Sequence, residues 1–117
     1  MKIFHIDIKP ENILITGKDV SGLLFVKLID FGTAKIFNET KNKALVGSSY
    51  YIAPGVLRGN YYEACDLWSI GVIMYIMLIG IPPFNWEDDD NILNDVKIWH
   101  YDTTSPKYQK LSPNGKD

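Results

Sequence analysis

Apolar and polar positions fall along the chain in blocks, and the block lengths set the expected elements. Residues 12–15 and 23–29 are apolar, β-branched runs separated by the turn-forming stretch 16–22, a pattern that predicts a β-hairpin. Residues 30–47 are polar and basic with few apolar anchors, which predicts a long loop. From 67 to 81 almost every side chain is apolar. That run is shorter than the roughly 20 residues a membrane span needs, and Pro82 and Pro83 stop it. It predicts a buried core helix that starts near Tyr61 or Tyr62, runs to Ile79 and is capped by Gly80. The acidic run 87–90, followed by Ile92, Leu93 and Val96, predicts a second helix with carboxylates at its positive end. Residues 101–117 are rich in Ser, Thr, Pro, Asn and Gly and predict a surface loop. No internal repeat or low-complexity tract is present.

Composition narrows the class. The chain has 117 residues, enough for one small domain, and its 46% hydrophobic and 13% aromatic content suits a packed core rather than a disordered segment. Twelve basic against fourteen acidic residues give a net charge of -2, which provides no footprint for nucleic acid or an anionic membrane. Cys65 is the sole cysteine, so no internal disulfide is possible; a reducing compartment, and hence a cytoplasmic location, is expected. The apolar stretch at residues 1–4 is too short for a signal peptide.

Candidate chemistry sits in two places. The first is His5-Ile6-Asp7-Ile8-Lys9-Pro10-Glu11-Asn12; the second is Asp30-Phe31-Gly32, directly after a predicted strand. Phosphoryl transfer from ATP needs a carboxylate to orient the attacking hydroxyl and accept its proton. It also needs a cation to offset charge on the transferring phosphate, and hard oxygen ligands for Mg²⁺. Asp7, Lys9, Asn12 and Asp30 are the right types, and the predicted hairpin would bring both stretches to one edge.

These stretches closely resemble the protein kinase catalytic loop followed by its Asp-Phe-Gly motif, and Lys9 two residues after Asp7 is the serine/threonine variant. Gly47-Ser48-Ser49-Tyr50-Tyr51-Ile52-Ala53-Pro54 is similar to the end of a kinase activation segment. Asp66-Leu67-Trp68-Ser69-Ile70-Gly71-Val72, ending in Gly80-Ile81-Pro82-Pro83-Phe84, is similar to the central helix of the kinase C-lobe and its following turn. The resemblance implies an α+β, protein kinase-like fold, incomplete over residues 1–117: a mainly helical C-lobe with a β-hairpin at its active edge and no N-lobe. It implies ATP and Mg²⁺ as cofactors and a protein serine or threonine as substrate. Within the superfamily the strings resemble the calcium-dependent kinases of plants and protists, which carry EF-hands after the kinase domain. The chain has no Asp-x-Asp-x-Asp-Gly loop, so calcium regulation is expected only of a longer parent protein.

Carried over position by position, the resemblance implies that Asp7 is the catalytic base and Lys9 the γ-phosphate contact, with Asn12 and Asp30 as the metal ligands. Each has a plainer alternative: a turn aspartate, a solvated lysine, and caps at a hairpin end. His5 is expected to support the loop by packing and hydrogen bonding. Phe31, Gly32 and Ser48 belong to the activation segment, where the Ser48 hydroxyl would bridge Asp7 and Lys9 or be an ordinary loop serine. Asp66 matches the aspartate that holds the catalytic-loop backbone, a role compatible with a first-turn acid of its helix. Trp68, Met74, Tyr75 and Met77 are expected core residues. The run at 87–90 is explained more simply by a helix N-terminus than by attraction for basic substrates.

Three departures from the family pattern matter. Ile6 stands where most regulated kinases have an arginine that pairs with an activation-loop phosphate, so Ile6 cannot answer a phosphate at Thr40. Gly55 stands where the family has a glutamate after Ala53-Pro54. No Gly-x-Gly-x-x-Gly loop and no Val-Ala-x-Lys occurs in these residues. The expectation is a gene fragment or truncated gene model, inactive alone; the alternative is a catalytically dead pseudokinase fragment that acts by binding a partner.

Overall fold

The computed structural model describes residues 3–36, 49–58, 64–84 and 89–116. The predicted hairpin forms from β2 (Ile13–Lys18) and β3 (Leu24–Leu28), antiparallel, with Ile13 opposite Leu28, Lys18 opposite Leu24 and an irregularity between Ile15 and Gly17. The turn is shorter than the expected 16–22, because Asp19 closes the tip. Its Oδ1 accepts from the Ser21 N–H at 2.8 Å and the Leu23 N–H at 2.9 Å, and Gly22 takes φ +89°, a value only glycine adopts freely. Thr16 and Gly17 are thereby left free to stay in the strand.

The long loop expected over 30–47 is corrected in its first part. Residues 31–33 form a 3₁₀ turn, and β4 (Lys35–Ile36) pairs antiparallel with β1 (Ile3–Phe4). Two-residue strands are too short to show periodicity, so this ribbon was not readable from pattern. Residues 37–47 lie outside the described residues.

α1 (Pro54–Leu57) is a single turn opened by Pro54. α2 spans Ala64–Ile79 and ends as expected at Gly80, whose φ is +89° and whose N–H reaches the Ile76 carbonyl at 2.7 Å. Its expected start at Tyr61 or Tyr62 lies outside the described residues. α3 (Asp89–Ile98) is the second predicted helix; the Glu87 and Asp88 part of its acidic lead lies outside the described residues. α3 ends with Trp99 at φ +61°, where the His100 N–H bonds the Asp95 carbonyl at 3.1 Å. The tail is not the uniform loop expected. Ser105-Pro106 opens α4 (Pro106–Gln109) and Ser112-Pro113 opens α5 (Pro113–Lys116). Each serine hydroxyl accepts an N–H three residues on, from Tyr108 and Gly115, both at 3.2 Å, so these pairs act as helix starts rather than loop formers.

The core lies where α1, α2 and α3 meet the first residues of the chain. Phe4, Ile6, Ile52, Ala53, Val56 and Cys65 form one buried cluster; Phe84, Ile92 and Val96 form another, and Leu57 and Trp68 pack against both. Trp68 stacks on Phe84 at 5.9 Å and meets Trp99 edge-on at 5.4 Å. Two expected core residues are not core: Met74 is 57% and Met77 81% exposed. The described residues cover one side of α2, where Cys65, Ser69, Val72 and Ile79 are buried, and leave Leu67, Ile70, Met74, Met77 and Leu78 on the other. Tyr75 is half-buried, its hydroxyl donating to the Asp102 carbonyl at 3.0 Å. No helix among the described residues is long and apolar enough to cross a membrane.

Candidate active site

The site is built on the backbone between β1 and β2. Residues 5 and 6 leave the β1–β4 ribbon and turn sharply, with Ile6 at φ +68°, a conformation uncommon for a β-branched residue. Two contacts hold it there. Asp66, in the first turn of α2, accepts the His5 N–H at 2.8 Å on Oδ2 and the Ile6 N–H at 2.9 Å on Oδ1. The Ile6 side chain is buried in the cluster with Ile52, Ala53 and Val56. A carboxylate accepting two backbone N–H groups is a charge-assisted pair of bonds, each stronger than a neutral one.

His5 is buried and ties its loop to Ile29, Phe31 and Thr33. Its Nε2 lies 3.0 Å from the Ile29 carbonyl, which requires the proton on Nε2. Its ring meets Phe31 edge-on at 4.9 Å, and its carbonyl accepts from the Thr33 hydroxyl at 2.9 Å. The imidazole therefore fastens the Asp30-Phe31-Gly32 turn against the loop that carries Asp7.

Beyond Ile6 the polar groups converge. Lys9 Nζ lies 2.8 Å from Asp7 Oδ2. The hydrogen bond with Asp7 is the main reason that the Lys9 ammonium titrates above the ordinary lysine range; the charges of Asp7, Glu11 and Asp30 add to it against a desolvation cost. Asn12 ends the 3₁₀ turn opened by Pro10 and is buried. Its amide NH₂ donates to the Asp7 carbonyl at 2.8 Å and to Asp7 Oδ2 at 3.2 Å, and its backbone carbonyl accepts the Ile29 N–H at 3.0 Å. The last bond, at the open end of the hairpin, sets Asn12 beside the residue that precedes Asp30. Asp30 sits at φ +59° and accepts the Gly32 N–H at 3.2 Å on Oδ1. A Cβ on residue 32 would come within 3.1 Å of that oxygen, a tight approach that the Asp30 side chain would have to ease by a few tenths of an ångström.

Asp7, Lys9, Asn12 and Asp30 thus share one edge, with Phe31 and Gly32 alongside and Asp66 behind. Ser48 lies outside the described residues. Two contacts and one side chain are given no role by the sequence: Thr33 to His5, Ser69 to the Tyr51 carbonyl at 2.7 Å, and the Tyr51 phenol, pushed up by burial first and by the Glu11 charge second. A lone serine inside an apolar helical run is a usable signal for Ser69, and Tyr51 stands in the string 47–54; nothing in the sequence marks Thr33. Beside Asp66, burial and the Asp66 charge push the Cys65 thiol up to about 11, so it is inert at neutral pH.

Among the described residues no group of three or more His, Cys, Asp or Glu side chains forms a metal cage. The pair Asn12 and Asp30 offers an amide oxygen and a carboxylate, hard donors of the kind that bind Mg²⁺ together with phosphate oxygens. The donor set fits that ion when it arrives with a nucleotide.

A carboxylate–lysine–asparagine loop, a facing Asp-Phe-Gly turn and an aspartate on a central helix together make the arrangement expected of a protein kinase domain. The family described as Protein kinase domain matches residues 1–117, and the chain belongs to it. It is 45% identical over 116 residues to calcium-dependent protein kinase 4 of Plasmodium falciparum (isolate 3D7), covering 98% of this chain and 22% of that protein. It is 47% identical over 119 residues to calcium-dependent protein kinase 3 of Plasmodium yoelii yoelii, covering 98% and 21%. With calcium-dependent protein kinase 1 of Oryza sativa subsp. japonica the identity is 44% over 118 residues, covering 100% and 22%. The chain therefore spans about a fifth of the length of these curated relatives. Its fold is an incomplete kinase-like fold, mixed helix and strand, with two small sheets among the described residues.

Proposed function

We propose that residues 1–117 carry the catalytic-loop half of a serine/threonine protein kinase centre, which transfers the ATP γ-phosphate to a protein hydroxyl. The observation that carries this is the convergence of Lys9 and Asn12 on one carboxylate, Asp7, beside Asp30. Asp7 orients the incoming hydroxyl and takes its proton; Lys9 offsets charge on the phosphate in transfer. Asn12, with its NH₂ committed to Asp7, and Asp30, fixed by Gly32, would hold the metal. Bound Mg²⁺ would neutralise phosphate charge and fix the nucleotide in line. Regulation by calcium would belong to regions of a longer protein, as the names of the relatives suggest.

The chain by itself is expected to transfer no phosphate, because these residues hold no glycine-rich phosphate loop and no lysine–glutamate pair. The test is therefore made on binding and on chemistry separately. Mn²⁺ with ADP, added to labelled chain, should broaden the resonances of Asn12 and Asp30, and Asp30→Ala should abolish the broadening. Broadening elsewhere, or none, would refute the metal assignment and favour the non-catalytic fragment. In a complete kinase domain built around these residues, Asp7→Asn should lower phosphate transfer to a basic serine peptide about a hundredfold or more. Undiminished transfer would remove Asp7 from the role of base.

A further inference from the structure

Asp66 is not the only polar group that α2 sends across to a neighbouring segment. Ser69 lies three residues later on the same face and is only 5% exposed. Its hydroxyl is 2.7 Å from the Tyr51 carbonyl, eighteen residues away in sequence, and 3.3 Å from the Cys65 carbonyl of its own helix. A helical serine ordinarily satisfies itself on the carbonyl four residues back. Here the nearer acceptor is the external one, and a hydroxyl has one proton to give. Tyr51 closes the 3₁₀ turn Ser49–Tyr51, and the next two residues, Ile52 and Ala53, are buried against Ile6.

We propose that Ser69 is a positioning residue: together with Asp66 it makes α2 a two-point brace that fixes segment 49–53 relative to the loop bearing Asp7. Asp66 holds the N–H groups of residues 5 and 6, and Ser69 holds the carbonyl of residue 51. With one helix face carrying both grips, their separation is set by the helix rather than by either loop. The result is that the Tyr51 ring stands in the field of Lys9 and Glu11. The inference rests on the reading of Asp7 and Lys9 as the reacting centre, since only then does the placement of residues 49–53 bear on substrate.

The test uses the full chain at low micromolar concentration, with hydrogen exchange followed by mass spectrometry. Ser69→Ala should speed exchange over residues 50–53 roughly tenfold, the loss expected for one buried hydrogen bond, and leave residues 5–8 within twofold. Asp66→Ala should do the reverse first, loosening residues 5–8. Ser69→Thr, which keeps the hydroxyl, should restore the slow exchange. A 3-fluorotyrosine at position 51 adds a signature that a mere space-filling role would not move: in Ser69→Ala its fluorine resonance and titration midpoint should shift towards those of an exposed phenol. Should Ser69→Ala not fold, Ser69→Cys takes its place with the same expectations. Unchanged exchange at 50–53 and an unmoved fluorotyrosine would overturn the proposal, as would a uniform loosening of α2. Neither readout depends on phosphate transfer, so failure of the kinase reading and failure of the brace are separable results.

Discussion

At the scale of single residues, the strongest commitments are made by backbone groups. Removing Asp66 as Asp66→Ala leaves two N–H groups, those of His5 and Ile6, without their charged acceptor. The expected loss is about 3 kcal/mol, read as a lower urea midpoint at unchanged m; a loss below about 1 kcal/mol would mean that water or another group takes over both donors. Ile6 sets two effects against each other. Its φ of +68° carries a strain of about 1–2 kcal/mol that glycine would relieve, but its side chain is buried and truncation of a buried isoleucine costs about 2–5 kcal/mol. Ile6→Gly should therefore be net destabilising, by about 2 kcal/mol in the same measurement. A stabilised variant would show that strain, not packing, dominates at this position. Cys65, pushed from 9.0 up to about 11, should alkylate about a hundredfold more slowly at pH 8 than a free thiol, from its thiolate fraction alone. Alkylation with iodoacetamide, followed by mass, measures it directly.

At the scale of elements, the hairpin and the two long helices were legible because each carried both a pattern and a punctuation. Gly80 after an apolar run, and alternating blocks on either side of Asp19, define ends as well as interiors. What was not legible lacked one of these. The β1–β4 ribbon has two-residue strands, and its pairing joins Phe4 to Lys35 across a distance that no local pattern spans. The helices α4 and α5 are single turns whose Ser-Pro starts have the composition of a loop. An α2 that is apolar all round predicts Met74 and Met77 in the core, yet burial depends on what lies opposite, which the helix's own sequence does not state. At the candidate site, Asp7, Lys9, Asn12 and Asp30 are legible through motif spacing, whereas Thr33 acts through a carbonyl on another element and leaves no spacing signature. For the hairpin, Asp19→Ala removes the acceptor for the Ser21 and Leu23 N–H groups. It should speed amide exchange at residues 21–24 while leaving residues 13 and 28, at the far end of the ladder, unchanged. Equal loosening at both ends would mean that the turn nucleates the whole ribbon.

At the scale of the whole molecule, apolar surface outruns core. Among the described residues, 21 large hydrophobic side chains are exposed and 12 hydrophobic residues are buried, the exposed ones gathered on both faces of the hairpin and along one side of α2. The radius of gyration of 15.5 Å exceeds the roughly 13 Å of a compact domain this long. Sedimentation should accordingly show association that grows with concentration from low to high micromolar; a strict monomer throughout would contradict it. Alkali should weaken the fold. Cys65 and the phenols of Tyr51 and Tyr75 are held neutral in the folded chain by pKa values raised through burial, so the unfolded chain releases their protons first. Lys9, raised by Asp7, contributes its charge below 10.5 and loses it above the folded value. All of these contributions have the same sign: stability is full below about pH 9, falls from 9.0 to about 11 with Cys65, and falls further from 10.0 upward with the tyrosines. Urea midpoints at pH 8 and pH 10.5 should differ in that direction, and equal midpoints would overturn it. The Asp66 grip has one more consequence, and it concerns heredity. Asp66 holds residue 6 by an N–H group that nineteen of the twenty amino acids possess, so of the two contacts that fix this position only the packing of the buried side chain constrains which residue a lineage keeps there. The substitution this chain cannot inherit at position 6 is proline, which has neither the N–H nor the positive φ.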